Sequence, residues 1–249
     1  MPSSLASLVK PFIPSILKKG RQQGAARRFQ ERMRGLNEQD VFSTIYSERK
    51  WGAKDEGEFH SGAGSRHETI VEPYVSAVNA WLKGLGHLPN VVDLGCGDFF
   101  VGRQIRPSCG RYVACDVVPE LVAHNSAAFA DLNVDFQVCN LAKDPLPAGE
   151  VVFVRQVLQH LSNNLVKSGL EKIAVTYRYL VLTEHVPLNP NFTPNADIET
   201  GADTRISVGS GIDITASPFS IKPKAATEIC RIRYMDDLIL TTVYEFGDK

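Results

Sequence analysis

The sequence has no uninterrupted apolar run near the roughly 20 residues that a bilayer-spanning helix needs, and its N-terminus lacks the apolar core of a secretory signal. A soluble protein is expected. No C-x-x-C pair occurs, the five cysteines (Cys96, Cys109, Cys115, Cys139, Cys230) are odd in number, and four of them lie in or beside apolar runs, where cysteine acts as a small hydrophobe. That argues against a disulfide scaffold or a zinc site and for a reduced, cytoplasmic setting. No set of His, Cys, Asp and Glu has metal-ligand spacing, so no metal is expected, with His185, Asp197 and Asp203 left for coordinates to separate.

Net charge is scarce too, at −1, but it is unevenly spread. Residues 1–36 hold eight Lys and Arg against Glu31 alone, a charge of +7, which leaves −8 for the remainder. An acidic body gives no support to nucleic-acid binding through the main domain. The basic arm is a candidate for peripheral contact with an acidic membrane surface, at the inner membrane face. In it Leu5, Leu8, Val9, Phe12, Ile13, Ile16 and Leu17 recur at helical spacing, but Pro11 and Pro14 interrupt the ladder. An arm that packs on its own domain stays open beside the membrane reading.

What is present is enough apolar material, 43% of 249 residues, to bury one core, so a single domain over residues 41–249 is expected behind an arm of residues 1–40. Val71, Tyr74, Val75, Val78, Trp81 and Leu82 form an amphipathic helical stripe, with Pro73 tolerable in its first turn. Strands are expected at 91–94, 112–116, 135–140, 151–155 and 179–184. Helices fall at 119–130 and, N-capped by Ser162, through Val166, Leu170, Ile173, Ala174 and Tyr177. Strands alternating with helices imply crossovers and a parallel sheet. Residues 227–246 read as two β runs around Met235, Asp236 and Asp237, a hairpin adding antiparallel strands at the sheet's end. Residues 186–226, with five prolines counted from Pro187, make a loop long enough to be a lid or a binding wall.

The stretch VVDLGCGDFFVGRQI, residues 91–105, is a buried strand entering a glycine turn and then a helix. A dinucleotide fingerprint wants glycine where Phe100 stands, which weakens an NAD-dependent oxidoreductase as the alternative. No Gly-Lys-Ser/Thr follows, which removes a P-loop. What remains is Asp93-Leu-Gly95-Cys-Gly97 with an acidic residue, Asp116, closing the next strand nineteen residues after Gly97. This pattern resembles the class I S-adenosylmethionine-dependent methyltransferases over residues 91–184. The resemblance implies an α/β, Rossmann-like class I methyltransferase sheet, mostly parallel with a C-terminal antiparallel hairpin and helices on both faces, and S-adenosylmethionine as cofactor. It implies that Asp116 and Val117 meet the ribose and adenine, Asp93 the ammonium, Asn140 and Leu141 the adenine, and Arg155 and Gln156 the methionine end. Gly95 and Gly97 would admit the cofactor to the backbone.

The segments Phe42-Ser-Thr-Ile-Tyr46, Trp51-Gly52, Ser61-Gly-Ala-Gly-Ser65 and Arg155-Gln-Val-Leu-Gln-His-Leu-Ser162 are similar to a bacterial methyltransferase group associated with cell-surface polysaccharide genes. That likeness implies a small-molecule or glycan hydroxyl as acceptor. Gly62 and Ser65, with Arg66 behind them, are then candidates for the cofactor carboxylate, against a plain solvent loop.

A hydroxyl acceptor needs a base at the carboxyl ends of the fourth and fifth strands. His160 and His185 fall there and are the catalytic candidates; Glu184 is next, and His60, His67 and His124 are weaker. In the long loop Asp197, Asp203, Arg205 and Asp213 are either acceptor contacts or ordinary loop polarity. A noncatalytic cofactor-binding partner subunit would keep the glycine turn and lack a base. The oligomeric state and the choice between oxygen and nitrogen as acceptor atom are not written in these patterns.

Overall fold

In a computed structural model of the chain, residues 24, 27–52 and 59–247 are described. The apolar stripe from Leu5 to Leu17 lies outside them. The chain divides between Gly35 and Leu36. In the first unit, residues 27–33 are helical and Arg27 pairs with Glu31 at 2.9 Å.

The second unit opens with α1 (Glu38–Ser47), capped by Asn37, whose side chain accepts from the Asp40 N–H. Then come α2 (Glu68–Gly84), β1 (Val91–Leu94), the short α3 (Gly102–Ile105), β2 (Tyr112–Asp116), α4 (Pro119–Ala128) and β3 (Asp135–Val138). The chain continues through β4 (Val151–Arg155), α5 (Asn163–Thr176), β5 (Tyr179–Pro187), β6 (Ala225–Tyr234) and β7 (Asp237–Glu245). The seven strands lie in one sheet in the order β3-β2-β1-β4-β5-β7-β6. The first five are mutually parallel; β7 runs antiparallel to β5 and to β6. This is the mostly parallel sheet with a terminal hairpin that the sequence implies.

Residues of β1, β2 and β4 are buried on both faces apart from Arg155, so these strands read as continuous apolar runs. On one face α2 contributes Tyr74, Val78 and Leu82 to a cluster with Val91, Tyr112, Phe153 and Val181. In α5, Val166, Leu170 and Ile173 are fully buried, together worth on the order of 5 kcal/mol of transfer free energy. β2 and β3 spread to one side of β1, β4 and β5 to the other, so the direction in which successive strands are added reverses between β1 and β4. In open sheets of this kind the crevice beyond the carboxyl ends at that point is where ligands bind.

Three boundaries and one cap differ from the sequence reading. α2 begins at Glu68, a turn earlier than its apolar stripe, which leaves Pro73 in the helix interior; the carbonyl it fails to serve, that of Thr69, belongs to an exposed residue. β3 stops at Val138 because Asn140 turns away to bond Asp144 and Glu38. β5 continues to Pro187 because β7 pairs along all of it, from Tyr179 opposite Glu245 to Pro187 opposite Asp237. Ser162 does stand at the N-cap of α5, but its hydroxyl caps nothing; the Asn163 N–H is met by Asp197 from the long loop, at 2.8 Å. Among the described residues no helix is long and apolar enough to cross a membrane.

Candidate functional site

A cavity of about 340 Å³ lies over the carboxyl ends of β1, β2, β4 and β5, roofed by α1 and by residues 61–65. Its floor is the glycine turn. The N–H groups of Gly95 and Cys96 both donate to the Cys115 carbonyl, at 2.8 and 2.9 Å, tying the end of β1 to the end of β2. Asp116 completes the tie: one carboxylate oxygen accepts from the Gly97 N–H at 3.0 Å, the other from the Val118 N–H at 3.1 Å. Burial pushes its carboxyl up to about 6, against the pull of those N–H groups.

Gly95 and Gly97 sit at φ of +76° and +56°, a region glycine enters without cost. Each also makes room for a side chain of the protein itself. A Cβ at Gly95 would overlap Val157, and one at Gly97 would overlap the Ser61 hydroxyl. The close packing assigned to a third glycine is performed two residues past Phe100, at Gly102, where a Cβ would collide with the Phe99 ring and lie 3.1 Å from Asp93. Phe100 itself is held between the guanidinium groups of Arg66 and Arg103, at 4.6 and 4.7 Å.

Asp93 accepts from the Tyr112 hydroxyl at 2.9 Å, and its burial holds the carboxyl up at about 7. Asn140 and Leu141 line the cavity's other end, beside Val117. The Asn140 amide donates to Glu38 of α1 at 2.9 Å, and its oxygen accepts from Ala142. Burial alone would raise the Glu38 carboxyl, but hydrogen bonds from Lys143 and Asn140 bring it below the ordinary range. Glu38 escaped the sequence reading because nothing local marks a carboxylate in the first turn of α1 as facing a strand end a hundred residues away.

Residues 61–66 are stitched to the glycine turn. Asp98 accepts from the Ser61 N–H and from Arg66 Nε, at 3.1 and 3.0 Å, while the Ser61 hydroxyl accepts from the Asp98 N–H at 2.8 Å. Gly62 and Ser65 line the cavity as expected; Arg66 does not, because Asp98 and Phe100 hold it outside. Arg155 spans the gap from β4, donating to the Ser65 hydroxyl and the Gly64 carbonyl, with its guanidinium 4.9 Å from the Tyr74 ring centre. Gln156 also lines the cavity, at φ +55°.

Both histidines border the same space. The His160 ring packs at a tilt against Trp51, centroids 5.0 Å apart, and its Nδ1 lies 3.1 Å from the Asp203 carbonyl, which makes Nδ1 the protonated nitrogen. Burial drives this imidazole down to about 4. His185 lies within β5, not after it. Its Nε2 is buried without a hydrogen-bond partner, 3.7 Å from Asp237 Oδ2, and its ring is 5.9 Å from that of Tyr234. Burial lowers its pKa while Asp237 works the other way.

The remaining candidates are engaged in contacts within the fold. Glu184 is buried and accepts from the Leu158 and Gln159 N–H groups at 3.1 and 3.0 Å. Arg205, fully buried, donates to the carbonyls of Ala196, Leu158 and Leu161 and to the Asn163 side chain. These two residues grip the turn at Leu158–His160 from both sides. Asp197 caps α5 and Asp213 caps its own turn at Thr215, so the loop meets the cavity through Ala202 and Thr204. His60 Nδ1 accepts from the Gly62 N–H, His67 bonds Thr69, and His124 is exposed beside Phe59. Among the described residues no group of three or more His, Cys, Asp or Glu is placed to hold a metal ion.

Residues 91–178 match the family model described as methyltransferase domain. No curated protein matches the chain in sequence. Among solved structures it is similar to the N-methyltransferase NodS from Bradyrhizobium japonicum WM9 in complex with S-adenosyl-L-homocysteine. That likeness has 13% identity and a TM-score of 0.58, covering 82% of this chain and 99% of that one. Human N-acetylserotonin methyltransferase in complex with S-adenosylmethionine is similar at 17% identity and TM-score 0.58, over 92% of this chain and 66% of that one. The N-terminal domain of EvdMO1, in the presence of S-adenosyl-L-homocysteine and D-fucose, is similar at 11% and 0.51, over 90% and 96%.

The strand order, the glycine turn and the carboxylate ending β2 thus give the chain the class I methyltransferase fold, with a methyltransferase-domain match over residues 91–178. S-adenosylmethionine is the methyl donor of that class. The residues present fit it: a cavity within the volume range of small-molecule sites, two carboxylates at its floor, and three buried polar atoms of lining residues, Arg155 Nε, Gln159 Oε1 and His185 Nε2, that lack a hydrogen-bond partner.

Proposed function

We propose that the protein methylates a hydroxyl group of a small molecule or glycan, with Asp116 and Val117 holding the donor's ribose and adenine side and Asp93 its ammonium. Glu38 and Asn140 border the adenine, and residues 61–65 with Arg155 close over the methionine end. When bound, S-adenosylmethionine supplies a methyl group on a positively charged sulfur, and the C–S electron pair leaves with that sulfur as a neutral thioether. The chain's own share is to align the acceptor, keep water out and take its proton. The observation that carries this reading is the pair of imidazoles on the acceptor side of the cavity. An amine acceptor brings its own free electron pair, whereas a hydroxyl benefits from a base, and of the two imidazoles His185 keeps a ring free of hydrogen-bond partners among the described residues. The D-fucose present with the EvdMO1 domain supports a sugar as the acceptor to try first.

The test is calorimetry with S-adenosylhomocysteine and with NAD, followed by transfer of radiolabelled methyl from S-adenosylmethionine to a panel of monosaccharides that includes D-fucose. Binding of the former nucleoside and labelled sugar ether are expected. Binding of NAD alone would overturn the reading in favour of an oxidoreductase, and binding with no transfer to any hydroxyl would favour a cofactor-binding subunit.

A further inference from the structure

His160 and His185 both border the cavity, but their surroundings divide the work. His160 has no nitrogen to spare: Nδ1 is spent on the Asp203 carbonyl, and the Gln159 amide stands 3.4 Å from Nε2. The Gly201 N–H bonds the His160 carbonyl and Trp51 Nε1 bonds the Ala202 carbonyl, so this ring is part of a fixed wall.

His185 is the opposite case. It makes no hydrogen bond among the described residues, yet a carboxylate stands 3.7 Å from its buried Nε2. Strand pairing explains the placement. β5 and β7 run antiparallel with Pro187 opposite Asp237 and His185 opposite Ile239, so the two side chains come from diagonal positions on neighbouring strands. Tyr234, paired with Asp237 across the hairpin, covers the site from β6. The side chains of Asp237 and His185 are only 24% and 15% exposed, so little water screens them.

Resting on the methyl-transfer reading above, we infer that His185 is the base, that its Nδ1 receives the acceptor proton, and that Asp237 is the positioning residue that holds the proton on Nε2. A carboxylate facing Nε2 favours the Nε2–H tautomer, as it does wherever one imidazole nitrogen is oriented by a carboxylate and the other does the chemistry. The step balances. The acceptor O–H proton moves to Nδ1, the oxygen's electron pair forms the O–CH₃ bond, and the C–S pair remains on sulfur. His185 becomes an imidazolium beside Asp237, which stabilises that charge. The charged and titratable groups around the ring are Asp237 on β7, Tyr234 on β6 and Arg155, which shares its face of the sheet through Thr183 on β5.

The experiment needs no known acceptor. Nitrogen-15 NMR of histidine-labelled full-length protein, saturated with S-adenosylhomocysteine, reads the tautomer and titration midpoint of His185 directly, with His185→Gln assigning its signals. The expected result is an Nε2–H tautomer whose midpoint drops by about one pH unit in Asp237→Asn, the size of one lost opposite charge. Asp237→Glu should restore part of that drop. An Nδ1–H tautomer in the wild type, or a midpoint that Asp237→Asn leaves in place, overturns the assignment. If Asp237→Asn fails to fold, the wild-type tautomer alone still decides. S-adenosylhomocysteine affinity is expected to be unchanged in both variants. Failure of the wild type to bind it would sink the methyl-transfer reading, an outcome separate from the tautomer result.

Discussion

The two halves of the cavity are held by different means. On the donor side, at the ends of β1 and β2, backbone groups close by do the holding: the N–H groups of Gly97 and Val118 fix the Asp116 carboxylate, and the Cys115 carbonyl accepts from the N–H groups of Gly95 and Cys96. On the acceptor side, at the ends of β4 and β5, a turn is gripped by two buried ionisable residues, Glu184 and Arg205, with the guanidinium reaching it from a loop about 45 residues further on. A site built from the backbone tolerates little change in φ. One built around buried side chains that reach in from distant segments fails when either side chain is removed.

The sharpest break falls on the acceptor side. Arg205→Met removes four hydrogen bonds and leaves the buried carbonyls of Leu158 and Leu161 without that donor, which should cost about 3–5 kcal/mol, read by urea unfolding. S-adenosylhomocysteine affinity, measured where the variant stays folded, should change far less.

On the donor side the first cost is steric. Gly95→Ala forces a side chain into φ +76° and against Val157, expected to cost about 2–4 kcal/mol from conformation and overpacking combined. Adding Val157→Ala sharpens the comparison, since it relieves the overlap and leaves the backbone term. A double variant no more stable than the single one would show that overlap contributes nothing.

Next comes charge. Asp116→Asn should weaken S-adenosylhomocysteine binding by about 1.5–3 kcal/mol, the worth of a hydrogen bond to a charged group, with a smaller change in unfolding free energy. Burial holds this carboxyl at about 6, so in the wild type affinity should fall as pH drops through that value and the carboxylate takes up a proton. Calorimetry across pH 5 to 8 should find the variant's affinity flat over the same window.

The smallest effect separates sequence position from contact. Asp197→Ala should cost about 1 kcal/mol through the lost cap on α5, and Ser162→Ala less than about 0.5 kcal/mol, although Ser162 occupies the N-cap position.

The same contrast explains what could be read beforehand. The strands 91–94, 112–116 and 151–155 are visible in the sequence because they are fully buried runs bounded by turn residues, and Asp93, Gly95, Gly97 and Asp116 are visible because their spacing is local. Asp98 was within reach too, adjoining Gly97, but its partners Ser61 and Arg66 are more than thirty residues upstream. The Glu38–Asn140 bond, the Glu184 and Arg205 grip and the extension of β5 to Pro187 depend on contacts between distant segments, which no periodicity encodes. Arg205 in particular looks like loop polarity in sequence, since nothing local distinguishes a buried guanidinium from a solvated one.

Only two tryptophans occur in the chain, and they sit in unlike places. Trp81 packs edge-on against Tyr179, whereas Trp51 faces the cavity among Phe42, Tyr46 and His160, its N–H fixed on a carbonyl. Indole emission in a Trp81→Phe background would therefore come from one fluorophore at the mouth of the chamber, giving the molecule a built-in optical gauge of occupancy that requires no label.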